Sequence, residues 1–122
     1  MSELNAVNLA EKLGLFSDHW APKVIGALNE YELKLVKVQG QFVWHAHPDT
    51  DELFLVLSGQ LEIAMRDRTV TVCEGELFVV PKGVEHQPRA HQECHILLME
   101  PRGVVNTGDT GGSMTAPNDV WI

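Results

Sequence analysis

From Lys23 onward the chain is a rapid succession of short apolar and β-branched runs: VIGAL, YELKLVKV, FVWHAH, ELFLVLSG, QLEIAM, TVTV, ELFVVP and CHILLME. Gly, Pro, Asp and Asn separate them. A parallel sheet needs a crossover of roughly a dozen residues, usually helical, and no helix-period segment of that length follows residue 20. Many short strands with closely set turns predict an all-β sandwich or barrel. A chain of 122 residues suffices for one core.

Side-chain alternation assigns the faces. In QLEIAMR, Leu61, Ile63 and Met65 point one way and Glu62, Ala64 and Arg66 the other. In DELFLVLSG both faces are apolar, which predicts a strand buried on both sides, or buried on one and covered by a partner subunit on the other. Phe54, Val56, Ile63 and Met65 are candidates to line an apolar pocket, and equally to be core. Phe42 and Trp44 alternate away from His45, so packing or a dimer interface is expected of them rather than the pocket.

The ends differ from the middle. Ala6, Leu9, Ala10 and Leu13 fall on one face at helical spacing, with Ser2 as a cap, Glu3 in the first turn and Gly14 as terminator. The chain therefore divides into a helix and turn over 1–20, a β-barrel over 21–105 and a C-terminal arm over 106–122. The arm is rich in turn residues and ends in Val120-Trp121-Ile122. That apolar end predicts docking on the domain surface or a second subunit; a lid over a pocket is the alternative.

The net charge of −8 and pI of about 5.1, with no Lys/Arg stripe, argue against a nucleic acid or an anionic membrane surface as partner. The apolar runs are too short to span a bilayer. The start, MSELNAVNLAEKLGLF, lacks the basic and unbroken apolar stretches of a signal peptide. Cys73 and Cys94 are too few for a disulfide framework, so a cytoplasmic location is expected, with both as sheet or core residues.

Chemistry concentrates in WHAHPDTDELFLVLSG, residues 44–59. His45 and His47 share one face of an extended chain, roughly 7 Å apart at the backbone. The turn-rich Pro48-Asp49-Thr50-Asp51 can return Glu52 beside them. Two imidazoles and a carboxylate make a partial metal shell. A pair of solvated histidines and a surface carboxylate is the competing reading. A second stretch, GELFVVPKGVEHQP, residues 75–88, carries a tight turn at Pro81-Lys82-Gly83 and places Val84, His86 and Pro88 on one face.

Together the two stretches resemble the paired motifs of the cupin superfamily. The first runs Gly40, QFVW, His45-Ala46-His47, PDTD, Glu52, LFLVLS, Gly59. The second runs Gly75, ELFVV, Pro81-Lys82-Gly83, VE, His86, QPR, and then Ala90 where the motif has Asn. The resemblance spans roughly residues 30–100, with Gln60 to Glu74 between the motifs, as in a compact single-domain cupin. It implies a double-stranded β-helix, or jelly-roll, barrel. It also implies that His45, His47, Glu52 and His86 ligate a divalent transition metal, whether Fe, Mn, Ni, Co, Cu or Zn, and that subunits pair as a homodimer. One carboxylate and three neutral imidazoles leave a divalent site near +1, which favours an anionic ligand. The activities implied are those of a dioxygenase, or of a sugar or keto-acid isomerase, on a small anionic or enolisable molecule. The alternative is a non-catalytic, metal-dependent small-ligand binding module. His95 is a candidate acid/base, with a hydrogen-bonded strand histidine as the competing role. His91 has no role beyond proximity to the second motif, and His19, before Trp20, reads as structural. Lys82 and Arg89 can steer an anion or simply be solvated.

Overall fold

The computed structural model describes residues 4–122. A short helix, α1 (Leu9–Leu13), precedes seven strands: β1 (Lys23–Leu28), β2 (Tyr31–Gln41), β3 (Glu52–Ser58), β4 (Gln60–Met65), β5 (Thr69–Cys73), β6 (Leu77–Val80) and β7 (His86–Pro101). All strand pairings are antiparallel, in the order β1-β2-β7-β3-β6, with β4 bridging β5 and β7. This is the expected all-β barrel.

The trunk is β7. Its first part, from His86 to Arg89, pairs with β4, and its second part pairs with β3, while β2 runs along its other edge. CHILLME is thus only the end of a 16-residue strand. The strand turns from one sheet to the other at a bulge, where the step from Val38 to Gly40 in β2 faces the longer step from Cys94 to Ala90. Residues 91–93 bow outward there and are exposed. Gly59, between β3 and β4, sits at φ +89, and a Cβ on it would stand 3.1 Å from the Cys94 Cα and the Glu93 carbonyl oxygen, so the turn requires glycine.

One expected strand is absent. In FVWHAH only His45 joins a bridge, antiparallel to His86. The Phe42 N–H donates to the Pro88 carbonyl at 2.9 Å, but Pro88 has no N–H to return and the ladder stops. This freedom from the sheet also breaks the alternation on which Phe42 was expected to face away from His45.

Val36, Val38, Phe54, Val56, Leu61, Ile63, Val72, Val80, Ala90, Cys94, Ile96 and Leu98 form one core cluster. Val56 and Ile63 are wholly buried within it. Met65 is not: alternation in β4 lapses at the buried Ala64, and Met65 ends half-buried, opposite His86 in register. Cys94 belongs to the core, Cys73 is exposed, and both are free thiols.

The helix begins later than its spacing predicts. Asn8 caps it, accepting from the Glu11 N–H at 3.0 Å, and Gly14 ends it as expected. The expected cap, Ser2, and Glu3 lie outside the described residues. With five residues and none buried, α1 is tied down chiefly by Lys12, whose Nζ donates to the Ile122 carbonyl at 2.9 Å. The C-terminal arm docks on the barrel: Val24 donates to Val120 at 2.7 Å and accepts from Ile122 at 3.1 Å. Among the described residues no helix is long and apolar enough to cross a membrane.

Ile63 and Met65 separate core from periphery within one strand. Ile63→Ala should cost about 2–5 kcal/mol in urea unfolding, and Met65→Ala about 1 kcal/mol or less. Equal losses would contradict this packing.

Candidate metal centre

His45 and His86 exchange backbone hydrogen bonds, His45 N–H to the His86 carbonyl at 3.0 Å and the reverse at 2.9 Å. Opposed residues of an antiparallel pair point the same way, and the two imidazole centroids lie 4.3 Å apart. Each ring is oriented by the carbonyl two residues before it: Nδ1 of His45 meets Val43 O and Nδ1 of His86 meets Val84 O, both at 2.9 Å. With Nδ1–H donating, both rings present an unprotonated Nε2, as a metal ligand must. His47 follows on the same segment, and Glu52 enters from the start of β3.

The four donor atoms lie within 4.8 Å of one another, and all four residues are buried. Glu52 Oε1 is 3.3 Å from His47 Nε2 and 3.4 Å from His86 Nε2, yet all three atoms lack a hydrogen-bond partner of proper geometry. Donors bound at about 2.1 Å to one ion at octahedral or tetrahedral angles stand about 3.0–3.4 Å apart. Buried, orphaned polar atoms at that spacing are what an ion would satisfy. The donor set of three imidazoles and one carboxylate suits a divalent transition metal.

The electrostatics agree. Burial, then the like charge of His86, lowers the His45 pKa to about 4, so that ring is neutral at pH 7. Burial also works against a charged His47, but the contact with Glu52 outweighs it and raises the pKa. Burial opposes ionisation of Glu52, and the two imidazoles beside it prevail, holding its pKa down to about 2. Ligation of a metal would require the neutral form of His47, against that upward shift.

The chain matches the Cupin domain family over residues 33–100. This protein is a cupin. It is 37% identical over 77 residues to the uncharacterized protein YdbB of Bacillus subtilis, covering 62% of this chain and 68% of that one. A crystal structure of a cupin-2 domain containing protein from Shewanella frigidimarina superposes with a TM-score of 0.78 at 54% identity, over 79% of this chain and 94% of the other. Hydroquinone 1,2-dioxygenase from Sphingomonas sp. TTNP3, in complex with 4-nitrophenol, shares the fold at 22% identity and TM-score 0.71, over 81% of this chain and 33% of its own.

In this cupin a small cleft, with a cavity volume of about 30 Å³, reaches the cluster at His45 and Glu52. Its walls include Trp20, Val36, Phe42, Phe54 and Ile96. Of the expected pocket residues only Phe54 lines it. Phe42, expected to point away, stacks on Trp20 at 4.8 Å and meets His45 edge-on at 5.3 Å. Trp44 lies outside with the Arg66 guanidinium 3.9 Å over its ring.

His95 is not brought to the cluster. It shares a face with Leu97 and Met99, as the alternation indicates, but the inward face of β7 is the other one, with Cys94, Ile96 and Leu98. Its Nε2 instead meets Glu93 Oε1 at 2.9 Å, and His19 meets the other Glu93 oxygen at 2.8 Å. His91 is exposed; Arg89 pairs with Glu62 at 2.8 Å, and Lys82 is an exposed turn residue.

Three buried ionisable side chains escaped the sequence reading. Lys34 Nζ lies 3.2 Å from Glu100 Oε1 and 3.9 Å from Glu32 Oε1, and all three are nearly inaccessible. Glu32 and Lys34 share the inward face of β2 with Val36 and Val38, so charge on a core-facing alternation was the available signal. Burial, then the charge of Glu52, pushes the Glu100 pKa up to about 8 despite Lys34.

A carboxyl whose pKa is higher folded than unfolded favours folding while protonated. That stability is present below the ordinary value of 4.5 and is lost as pH rises toward 8. In the metal-free protein, Glu100→Gln should flatten the decline in stability across this window, a difference on the order of a few kcal/mol at its upper end. Parallel pH profiles of the two proteins in denaturant titrations would contradict the assignment.

Proposed function

We propose that this cupin is a metal-dependent enzyme of dioxygenase type acting on a small anionic or enolisable molecule. The observation that carries the reading is that His45 and Glu52 face the cleft, so the open side of a bound ion would face it too. The ion supplies positive charge and, where the metal is redox-active, electrons. The chain supplies four buried donors, one of them anionic, and leaves a net positive site that attracts an anion. Trp20, Phe42 and Phe54 keep water from the approach.

The cleft favours oxygen chemistry over sugar isomerisation. Besides the ligands His45 and Glu52, its one polar wall residue is Asn106. The Asn106 amide already donates to the Trp20 and Met114 carbonyls and accepts from the Ala116 N–H. Sugar hydroxyls would enter unmatched, at a desolvation cost. Isomerisation also needs a proton carrier beside the ion, and His95 is elsewhere. The same lack of a second titratable wall residue supports the other reading, a non-catalytic metal-dependent binding module.

Elemental analysis after purification without added metal, beside His47→Ala, tests the common ground. Near-stoichiometric metal in the parent and its loss in the variant are expected. Oxygen uptake with a panel of small phenols and enols then separates the readings. Consumption requiring the metal supports the enzyme, whereas ligand binding without turnover supports the module.

We also propose a homodimer. On the outer face of the sheet, Leu33, Met99, Leu53 and Val79 align in register across β2, β7, β3 and β6, and Leu97, Leu55 and Leu77 form a second row. Leu77 and Val79 remain well exposed, and a continuous apolar patch of this kind favours a partner. Light scattering should give a dimer, with Leu77→Glu shifting it toward monomer. A parent that is monomeric at every concentration tested would refute it.

A further inference from the structure

The segment carrying His45 and His47 is held on one side only by the barrel. His45 pairs with His86, and the His47 carbonyl accepts from the Gly83 N–H at 2.9 Å. Ala46, between them, is buried and points its backbone groups the other way. Both groups are met by the C-terminal arm. The Ala46 N–H donates to Asp109 Oδ1 at 2.9 Å, and the Asp109 N–H donates to the Ala46 carbonyl at 3.0 Å. Thr110 Oγ1 donates to the Trp44 carbonyl at 2.8 Å.

The fit is close. Gly108 has φ +56, and a Cβ there would overlap the Ala46 carbonyl oxygen and stand 3.1 Å from His45 Cδ2. The arm is itself braced. Thr107 is fully buried with its hydroxyl 2.6 Å from that of Thr115, and the arm's last residues are pinned to Val24. The arm itself lies outside residues 33–100, the part matched by the family.

We propose that Gly108 and Asp109 are positioning residues of the metal centre: their clasp on Ala46 fixes the His45–His47 pair and so sets how tightly, and for how long, the ion is held. The inference rests on the metal-centre reading above. The clasp acts on the ligands as hydrogen-bond partners behind a metal site do, by removing the freedom of the donors to swing apart. Loss of such partners costs about 10–100-fold in metal affinity. Asp109 is exposed and bonds through one carboxylate oxygen, so the amide of asparagine can replace it.

The test uses the full chain loaded with Co(II), whose visible spectrum reports ligand geometry, in competition with a chromogenic chelator. Asp109→Ala and Gly108→Ala should weaken binding about 10–100-fold, speed dissociation and alter the spectrum. The melting temperature of metal-free Asp109→Ala should stay close to that of the parent, and Asp109→Asn should bind as the parent does. Affinity, dissociation and spectrum unchanged in both Asp109→Ala and Gly108→Ala, with the parent binding well, would overturn the clasp and leave the metal centre standing. A parent that binds no better than His47→Ala would overturn the metal centre and the clasp with it.

Discussion

His45 and His86 each donate a backbone N–H to the other's carbonyl, and most of the site follows from that exchange. It joins two distant parts of the chain at a point where both side chains turn inward. It gives the two rings the same support, a carbonyl two residues back, so both show the cluster the same nitrogen. Pro88 then prevents the pairing from growing into a ladder, because its nitrogen carries no hydrogen. On the other side of His45 the chain turns through residues 48–51 and brings Glu52 back at the head of β3. A continuous strand over residues 42–47 would have carried Phe42 away from the cleft.

Buried charge is the second constraint. The inner face of three neighbouring strands, β2, β7 and β3, carries Glu32, Glu100 and Glu52, and one lysine, Lys34, answers two of them. Carboxylates so placed cannot all ionise cheaply. Glu52 takes the charge because two imidazoles lie beside it, and Glu100 keeps its proton in part because Glu52 is charged. A divalent ion at Glu52 would reverse the sign of the field felt by Glu100 and ease its ionisation. The His/Glu cluster and the Lys34 group are thereby one electrostatic unit, although they share no hydrogen bond among the described residues.

The convergence of His45, His47, Glu52 and His86 was legible in the sequence because their spacing is a backbone property. A turn returns Glu52 beside the histidines, and Pro81-Lys82-Gly83 delivers His86. The faces of continuous strands were legible too, as Val56 and Ile63 show. What failed was alternation carried through an interruption. Phe42 was read across a segment that leaves the sheet, and Met65 across a lapse at Ala64. His95 was read correctly as a neighbour of Leu97 and Met99, but alternation cannot say which of two apolar faces is inside. Asp109 had no local signal, because its partner lies 63 residues away and is a backbone group.

The matched barrel and the segments that flank it meet at the site. The barrel common to the family supplies the donors, and donors of this kind select an ion of a certain charge and softness. The cleft beside the cluster is completed by residues outside residues 33–100: Trp20 and Pro22 before the barrel and Asn106 after it. Asn106 binds the Trp20 carbonyl, so the two flanks close on each other over the site. The arm that brings Asn106 to the cleft also brings Asp109 to Ala46. The arm that lines the cleft is therefore also the arm that bonds the segment carrying His45 and His47. The walls of the cleft beside Glu52 thus come in part from outside the matched barrel, and a shared fold does not fix their chemistry.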